Sequence, residues 1–429
     1  MSTDVLTRVE ASLPTSPGLT VRTRRVIGAP VVALRAWLRG GARAEDKPGQ
    51  ALLTGRMLGE GTARRDFQRI AVDAESYGMA LSAHGGFEVY GVALDALASD
   101  WELAVDWLAE LIFESSFPEE RFSFLRRQAL AELESLEDQA DVVTAWSFLE
   151  QLYSPHPLGR PQLGDAAALT ALSREDCVDF HAAGRARGAI VTAAGEIDAP
   201  AVERRLRERF AALDARVIPG APPTAPSDAL PMRRRVRTRA ADQAHLYMGH
   251  RTVERRHPDH AALEMLSVVL GSGAGLAGRI PARVREREGL AYTAVASVAS
   301  GAGSDPGRLV VYVGTSPETV AQAERAAREE LERLLTDGLT DLEVKEARSF
   351  LFGREPFRRE TARQWAEMMA EAELFALPVD DPEWTILKYR DLDRAALESA
   401  ARRHIDPAKL KVTLGMPGRS KKKPAEPVP

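Results

Sequence analysis

The sequence predicts an α+β protein made of two domains of one pattern, each a mainly antiparallel β-sheet flanked by helices. Two observations carry that prediction. A proline-rich stretch divides the 429 residues into halves of similar length, and both halves present strand-like and helix-like segments in the same order. From Asp214 to Pro231 the chain holds five prolines and neither a helical nor a strand period, so 214–235 reads as an extended linker. The domains are then 1–213 and 236–416. Residues 417–429 are polar and proline-containing, with three lysines, and read as a disordered tail.

The elements follow in order. Each half opens on a strand-like run, Val31 to Leu38 and then Ala244 to Gly249. A helix comes next, over 48–58 and over 261–270. β-prone segments follow, 79–94 and 291–314. Each half then carries a long amphipathic helix. Trp101, Ala104, Val105, Leu108, Leu111 and Ile112 mark the first, and Val320, Ala323, Ala327, Leu331, Leu334 and Leu335 mark the second. Ser116-Phe-Pro-Glu119 and Thr340-Asp-Leu-Glu343 both fit the S/T-x-x-E capping box and open another helix in each half. Strands at Ala189 to Ala194 and Leu410 to Leu414 close the two halves.

Composition excludes several classes. Apolar residues make up 45% and charged residues 28%, which is ordinary for a globular protein. No apolar run approaches the ~20 residues that cross a bilayer, so no membrane association is expected. A net charge of -5 offers nothing to nucleic acid as a whole. Cys177 is the one cysteine, which leaves no intrachain disulfide and no cysteine-rich zinc module; its place after Ser173 suits a packed helix start. The opening residues show neither a basic n-region nor an apolar h-region, and a cytoplasmic protein is expected.

Several short runs, in their order and spacing, resemble the pitrilysin/insulinase family of zinc peptidases, in particular its two-domain, processing-peptidase-like branch. These are Ala33-Leu-Arg-Ala-Trp-Leu-Arg-Gly-Gly41 with Glu45, Gly61-Thr62 after a helix, and His156-Pro-Leu-Gly159 followed by Gly164. In the second half they are Val284-Arg285-Glu286 and Gly289-Leu-Ala-Tyr292. The resemblance covers about residues 20–415 and implies half of a peptidase clamshell.

The family binds zinc through H-x-x-E-H on its first helix, two histidines as ligands and the glutamate as general base. Counting back from Gly61-Thr62 places that motif on Leu52-Leu-Thr-Gly-Arg56. Leu52 stands for the first histidine, Gly55 for the glutamate and Arg56 for the second histidine. The family's third ligand falls on Glu132. One surviving carboxylate does not hold zinc. Glu132 is expected either to pair with an arginine, Arg56 being the candidate, or to be a solvated helix glutamate. No metal cofactor is therefore expected in this chain.

The remaining histidines suggest no replacement. His257-Pro-Asp-His260 with Glu264 comes nearest, but a proline inside the pair marks a helix N-terminus. His245 and His250 flank a strand end and suit ordinary hydrogen-bonded histidines, while His84 and His156 sit in loop-like contexts without a second ligand. Gly271-Ser-Gly-Ala-Gly275 lacks the Lys-Ser/Thr of a phosphate loop.

The resemblance implies more for the second half. The family supplies an arginine and a tyrosine with six residues between them, and Arg285 and Tyr292 keep that spacing. Such donors serve the oxygen on which negative charge develops when water attacks a peptide carbonyl. The glycines Gly271, Gly273 and Gly275 correspond to a flexible stretch that could approach bound peptide, or they form a plain turn. The expected function is that of the non-zinc subunit of a heterodimeric metallopeptidase, paired with a zinc-bearing homologue and acting on a peptide substrate. The alternative is an inert structural or assembly subunit, like the core subunits of a respiratory complex.

Overall fold

The computed structural model describes residues 18–28, 30–213, 223–238, 243–272, 278–378 and 384–418. The first part of the linker, 214–222, and the tail from 419 onward lie outside the described residues. The first half runs β1 (Leu19–Arg25), β2 (Val31–Arg39), α1 (Gln50–Met57), α2 (Phe67–Ser76), β3 (Ala80–Gly85) and β4 (Val89–Leu97), then α3 (Trp101–Phe113), α4 (Glu119–Glu137), α5 (Ala140–Tyr153), α6 (Arg174–Ala186) and β5 (Ala189–Gly195). The second runs β6 (Arg233–Thr238), β7 (Ala244–Arg251), α7 (His260–Ser267), a π-helical segment (Ala282–Arg287), β8 (Ala291–Ser300) and β9 (Arg308–Thr315). It continues through α8 (Val320–Thr336), α9 (Asp341–Arg354), α10 (Ala362–Leu374), α11 (Arg394–His404) and β10 (Lys411–Pro417).

The repeat seen in the sequence is a repeat of topology. The strand orders are β1-β5-β2-β4-β3 and β6-β10-β7-β9-β8, and in each sheet the first pair is parallel and the rest antiparallel. Two edge strands carry no clear signal in the sequence. β1 has too little apolar alternation to stand out, and Arg233–Arg235, counted with the linker, already pair with β10. Of the two capping boxes, Thr340 and Glu343 form theirs: the Thr340 amide donates to Glu343 Oε2 at 2.8 Å, and the Glu343 amide to Thr340 Oγ1 at 3.2 Å. The Ser116 amide donates instead to the Gly61 carbonyl, and Phe117 takes φ 47, so α4 starts by another route. Ser173 and Asp176 build a box that opens α6, within which Cys177 is buried, its thiol pushed up to about 12 by that burial.

The chain divides into two compact units, and neither is a plain half. The first takes Met1–Leu133, Arg160–Thr224 and Arg354–Thr385; the second takes Glu134–Gly159, Ala225–Gly353 and Ile386–Pro429. Helix α10 from the second half thus belongs to the first unit, and α5 from the first half to the second.

In the first unit α10 lies on β2 and β5. Small residues let it come close: Ala33 and Ala194 pack with Ala362, Trp365, Ala366 and Met369. Thr192 Oγ1 donates to the Ala366 carbonyl at 2.8 Å. Arg35 is buried between Asp95, at 2.8 Å, and Glu367, at 3.0 Å. In the second unit α5 covers β7, β10 and β6 in the same way. Gln151 accepts from Thr413 Oγ1 at 2.6 Å and donates to the Pro231 carbonyl at 2.6 Å. Gly415 has no room for a side chain, because a Cβ there would lie 1.9 Å from Thr144 Oγ1. The strands under these helices thereby bury both faces, which is why every residue of β5 is buried.

Candidate functional site

Helix α1 carries the positions that correspond to the zinc motif. Glu45 holds its N-terminus, accepting from the amides of Gly49 (3.3 Å) and Ala51 (3.0 Å) and from Arg160 Nη2 at 3.2 Å. Burial pushes the Glu45 carboxyl up to about 7. Leu52 and Arg56 are half-buried, and Gly55 is buried. Arg56 Nη2 donates to Glu132 Oε2 at 2.9 Å, closing the ion pair that was one of the two expectations for that glutamate. A partly solvated pair of this kind contributes ~0–1 kcal/mol. A cation thus stands beside the helix at the position that corresponds to the second histidine.

Position 55 is closed by backbone. A Cβ on Gly55 would lie 2.2 Å from the His84 carbonyl oxygen and 2.5 Å from the Gly85 amide nitrogen, and one on Gly85 would lie 2.3 Å from the Ala51 carbonyl oxygen. Helix α1 therefore rests directly on β3, and a glutamate side chain at 55 has nowhere to start. Restoring the whole motif by Leu52→His, Gly55→Glu and Arg56→His is expected to destabilise the fold by about 1–3 kcal/mol or more. Leu52→His with Arg56→His alone should melt near the parent. Thermal denaturation of the two variants checks this; equal melting temperatures would show that β3 yields to a side chain at 55. Beside α1 an open cleft of about 510 Å³ is lined by Arg56, Glu60, Phe67, Ile70, Met79 and Leu81, next to β3, an edge strand.

The second candidate lies in the second unit. The π-helical segment Ala282–Arg287 is held by Val284, buried in the core, and is closed by the Glu288 amide on the Arg283 carbonyl at 3.0 Å. Gly289 then turns the chain at φ 62, with open space where a Cβ would be. Leu290 is buried, its amide on the Val284 carbonyl at 2.8 Å. The register of β8 on β9 slips between Ala291 and Thr293, so Tyr292 is the extra residue of a β-bulge on an edge strand. The results are plain in exposure: Tyr292 is 79% exposed, and its hydroxyl makes no hydrogen bond with the described residues. Arg285 is exposed too, with Glu286 3.6 Å away. Neither side chain is used by the core.

Gly271 has a packing reason of its own. It breaks the helix at φ 149, a Cβ on it would lie 2.6 Å from Pro281 Cδ, and a Cβ on Gly278 would meet Gly271 Cα at 2.6 Å. The two glycines thus pack directly against each other. Gly273 and Gly275 lie outside the described residues.

Pro258 and Asp259 precede α7, as the proline indicated, and His260 turns inward to Glu264 at 3.5 Å. Sequence spacing missed His404, which α11 brings to Asp259 (Nε2 to Oδ2, 2.6 Å) with His257 nearby. His257, Asp259 and His404 are the group among the described residues close enough to share a metal ion. Arg403 occupies both Asp259 oxygens, at 2.9 and 3.0 Å, so a cation already fills that carboxylate. His245 bonds Tyr312 and His250 takes the Asp406 amide, both ordinary buried roles.

The comparisons with known proteins settle the family. Residues 21–166 match the model described as insulinase (peptidase family M16), and residues 171–351 match the one described as the peptidase M16 inactive domain. The chain belongs to peptidase family M16. Among its relatives, an uncharacterized zinc protease of Mycobacterium bovis is 29% identical over 344 residues, 78% of this chain and 77% of that one. A Helicobacter pylori protein named a non-peptidase homolog is 25% identical over 329 residues, 75% and 74% of the two chains. The fold matches the crystal structure of a peptidase M16 inactive domain from Pseudomonas fluorescens with a TM-score of 0.85 at 22% identity, over 94% of this chain and 97% of that one. This M16 chain thus has the family's two α+β sheet domains. Among its described residues no helix is long and apolar enough to cross a membrane.

Proposed function

We propose that this M16 chain is the non-zinc subunit of a heterodimeric metallopeptidase of the cytoplasm, lending Arg285 and Tyr292 to the active site of a zinc-bearing homologue. The observation that carries the reading is an asymmetry. The position of the zinc-site base is filled by packed backbone, whereas the two carbonyl-binding donors of the second half stand free of the core. A tyrosine hydroxyl and a guanidinium can both donate to a developing oxyanion, and the guanidinium also holds substrate backbone. Zinc and its general base belong in this reading to the partner. Peptide would bind extended and add to an open sheet edge, a mode driven by backbone hydrogen bonds.

Purified alone, the chain is expected to hold no stoichiometric zinc and to hydrolyse no peptide. Co-expressed with a homologue bearing intact H-x-x-E-H, it should form one complex with an interface of roughly 2,000 Å² or more, as obligate pairs do. Size-exclusion chromatography at micromolar concentration, elemental analysis and a chelator-sensitive peptide assay check these points. Separate elution of the two chains, or zinc-dependent hydrolysis by this chain alone, would remove the proposal. Separate elution without hydrolysis would make the inert assembly subunit the better reading, with which the non-peptidase name of the H. pylori relative agrees, whereas hydrolysis by this chain alone would make it a peptidase in its own right.

A further inference from the structure

Arg283 stands two residues before Arg285 and has three carboxylate partners. Its Nε donates to Glu288 Oε1 at 2.8 Å, its Nη1 to Glu330 Oε1 at 3.2 Å, and its Nη2 to Glu329. Glu288, with Glu329 and Glu330, raises the pKa of the guanidinium above its ordinary value. The anchor is firm on the α8 side. Glu330 is buried, and Ala323, Ala327, Leu331 and Leu334 of the same helix lie in the core.

The connection on the other side is local. Glu288 bonds Arg283 twice, by amide to carbonyl and by carboxylate to guanidinium. Arg283 and Glu288 therefore clasp residues 284–287, the stretch that presents Arg285. The chain leaves the clasp through Gly289 and Leu290, whose carbonyl accepts from Thr315 Oγ1 at 2.5 Å, and reaches the bulge at Tyr292. Arg285 and Tyr292 thus flank one clamped turn. A planar guanidinium can bridge three carboxylates at once, which a lysine ammonium on a flexible stem does not reproduce. Without it the three carboxylates lose their shared cation, Arg333 remaining on Glu330 alone at 3.3 Å, and the turn loses its ionic tie to α8.

We propose that Arg283 is a positioning residue for Arg285 and Tyr292, fixing the direction in which both donors leave the fold by bridging Glu288 to Glu329 and Glu330. This rests on the reading of Arg285 and Tyr292 given above. In the assembled complex with the zinc-bearing homologue, assayed on a fluorogenic peptide, Arg283→Ala is expected to lower kcat roughly tenfold, with KM, zinc content and assembly yield little changed. Arg283→Lys should recover little of that loss, and Glu288→Gln, which removes one arm, should show a smaller loss of the same kind. The double variant Arg283→Ala/Tyr292→Phe should be slower than Tyr292→Phe by clearly less than the tenfold of Arg283→Ala, because the part of that loss that acts through the Tyr292 hydroxyl is already gone. Full turnover by Arg283→Ala, or losses that multiply in the double variant, would overturn the inference while leaving the donor pair standing. Full turnover by Tyr292→Phe would remove the donor pair and this inference with it. Hydrogen exchange at the Leu290 amide, faster in Arg283→Ala at an unchanged melting temperature, separates loss of position from loss of fold.

Discussion

Tyr292→Phe is expected to slow turnover of the assembled complex about 100–1,000-fold, equivalent to about 3–4 kcal/mol of transition-state stabilisation. The variant is unusually clean here. The ring is 79% exposed and its hydroxyl makes no hydrogen bond with the described residues, so its removal costs the fold nothing. The bulge that presents it is set by backbone register, which phenylalanine leaves alone. Stability, zinc content and assembly should therefore match the parent, and the loss should appear in kcat. Arg285→Ala should lower kcat as well and raise KM, because a guanidinium also holds substrate backbone. Steady-state kinetics on a complex of verified stoichiometry decide the matter. If both variants keep full turnover, the exposed pair has no part in carbonyl activation, and an inert subunit explains the chain better.

The second large effect concerns folding. Made as two fragments, 1–218 and 219–429, the chain is expected to fold only when both are present, and the fragments should then co-purify. Helix α5 belongs to the first fragment but fills one face of the second sheet, through Gln151 on Thr413 and Thr144 on Gly415. Helix α10 belongs to the second fragment but fills one face of the first, through Trp365 and Met369 on Ala33 and Ala194. A fragment alone exposes that apolar face and strands buried polar groups. Arg35 would lose Glu367, and Lys411, which donates to the Gln151 carbonyl at 3.1 Å, would lose that acceptor. Each buried apolar side chain is worth about 1.5–3 kcal/mol, so losing even a few of them exceeds a domain's usual margin. Circular dichroism and pull-down of separately and jointly expressed fragments test this. Two independently folded, non-associating fragments would show the exchange to be dispensable.

Much of this was legible before any coordinates, and the reason is locality. Helix and strand periods depend on neighbours a few residues apart, so α3, α8 and the strands β2, β5, β7 and β10 could be read where they stand, and their order exposed the repeat. Loss of the zinc ligands was legible too, because leucine, glycine and arginine lack the donor atoms whatever surrounds them. β1 and β6 escaped because edge strands are half-solvated and carry weak alternation; β6 is mostly arginine.

What only the tertiary structure decided are relations between residues far apart in the chain. The partner of Arg56, 76 residues away, had two open answers until α4 set Glu132 against it. The closure of position 55 comes from the backbone of β3, which no residue type announces. The clasp of Arg283 on α8 spans more than forty residues, and His404 reaches Asp259 across 145. The exchange of α5 and α10 leaves no periodic mark, because an amphipathic helix shows that it has an apolar face but not which sheet receives it. The sequence by itself therefore determined most of the elements, their repetition and the loss of the zinc-ligand residue types. Packing decided which half completes which sheet, and it left Arg285 and Tyr292 outside both cores, because their side chains sit on an exposed turn and on the extra residue of a bulge that neither sheet can bury.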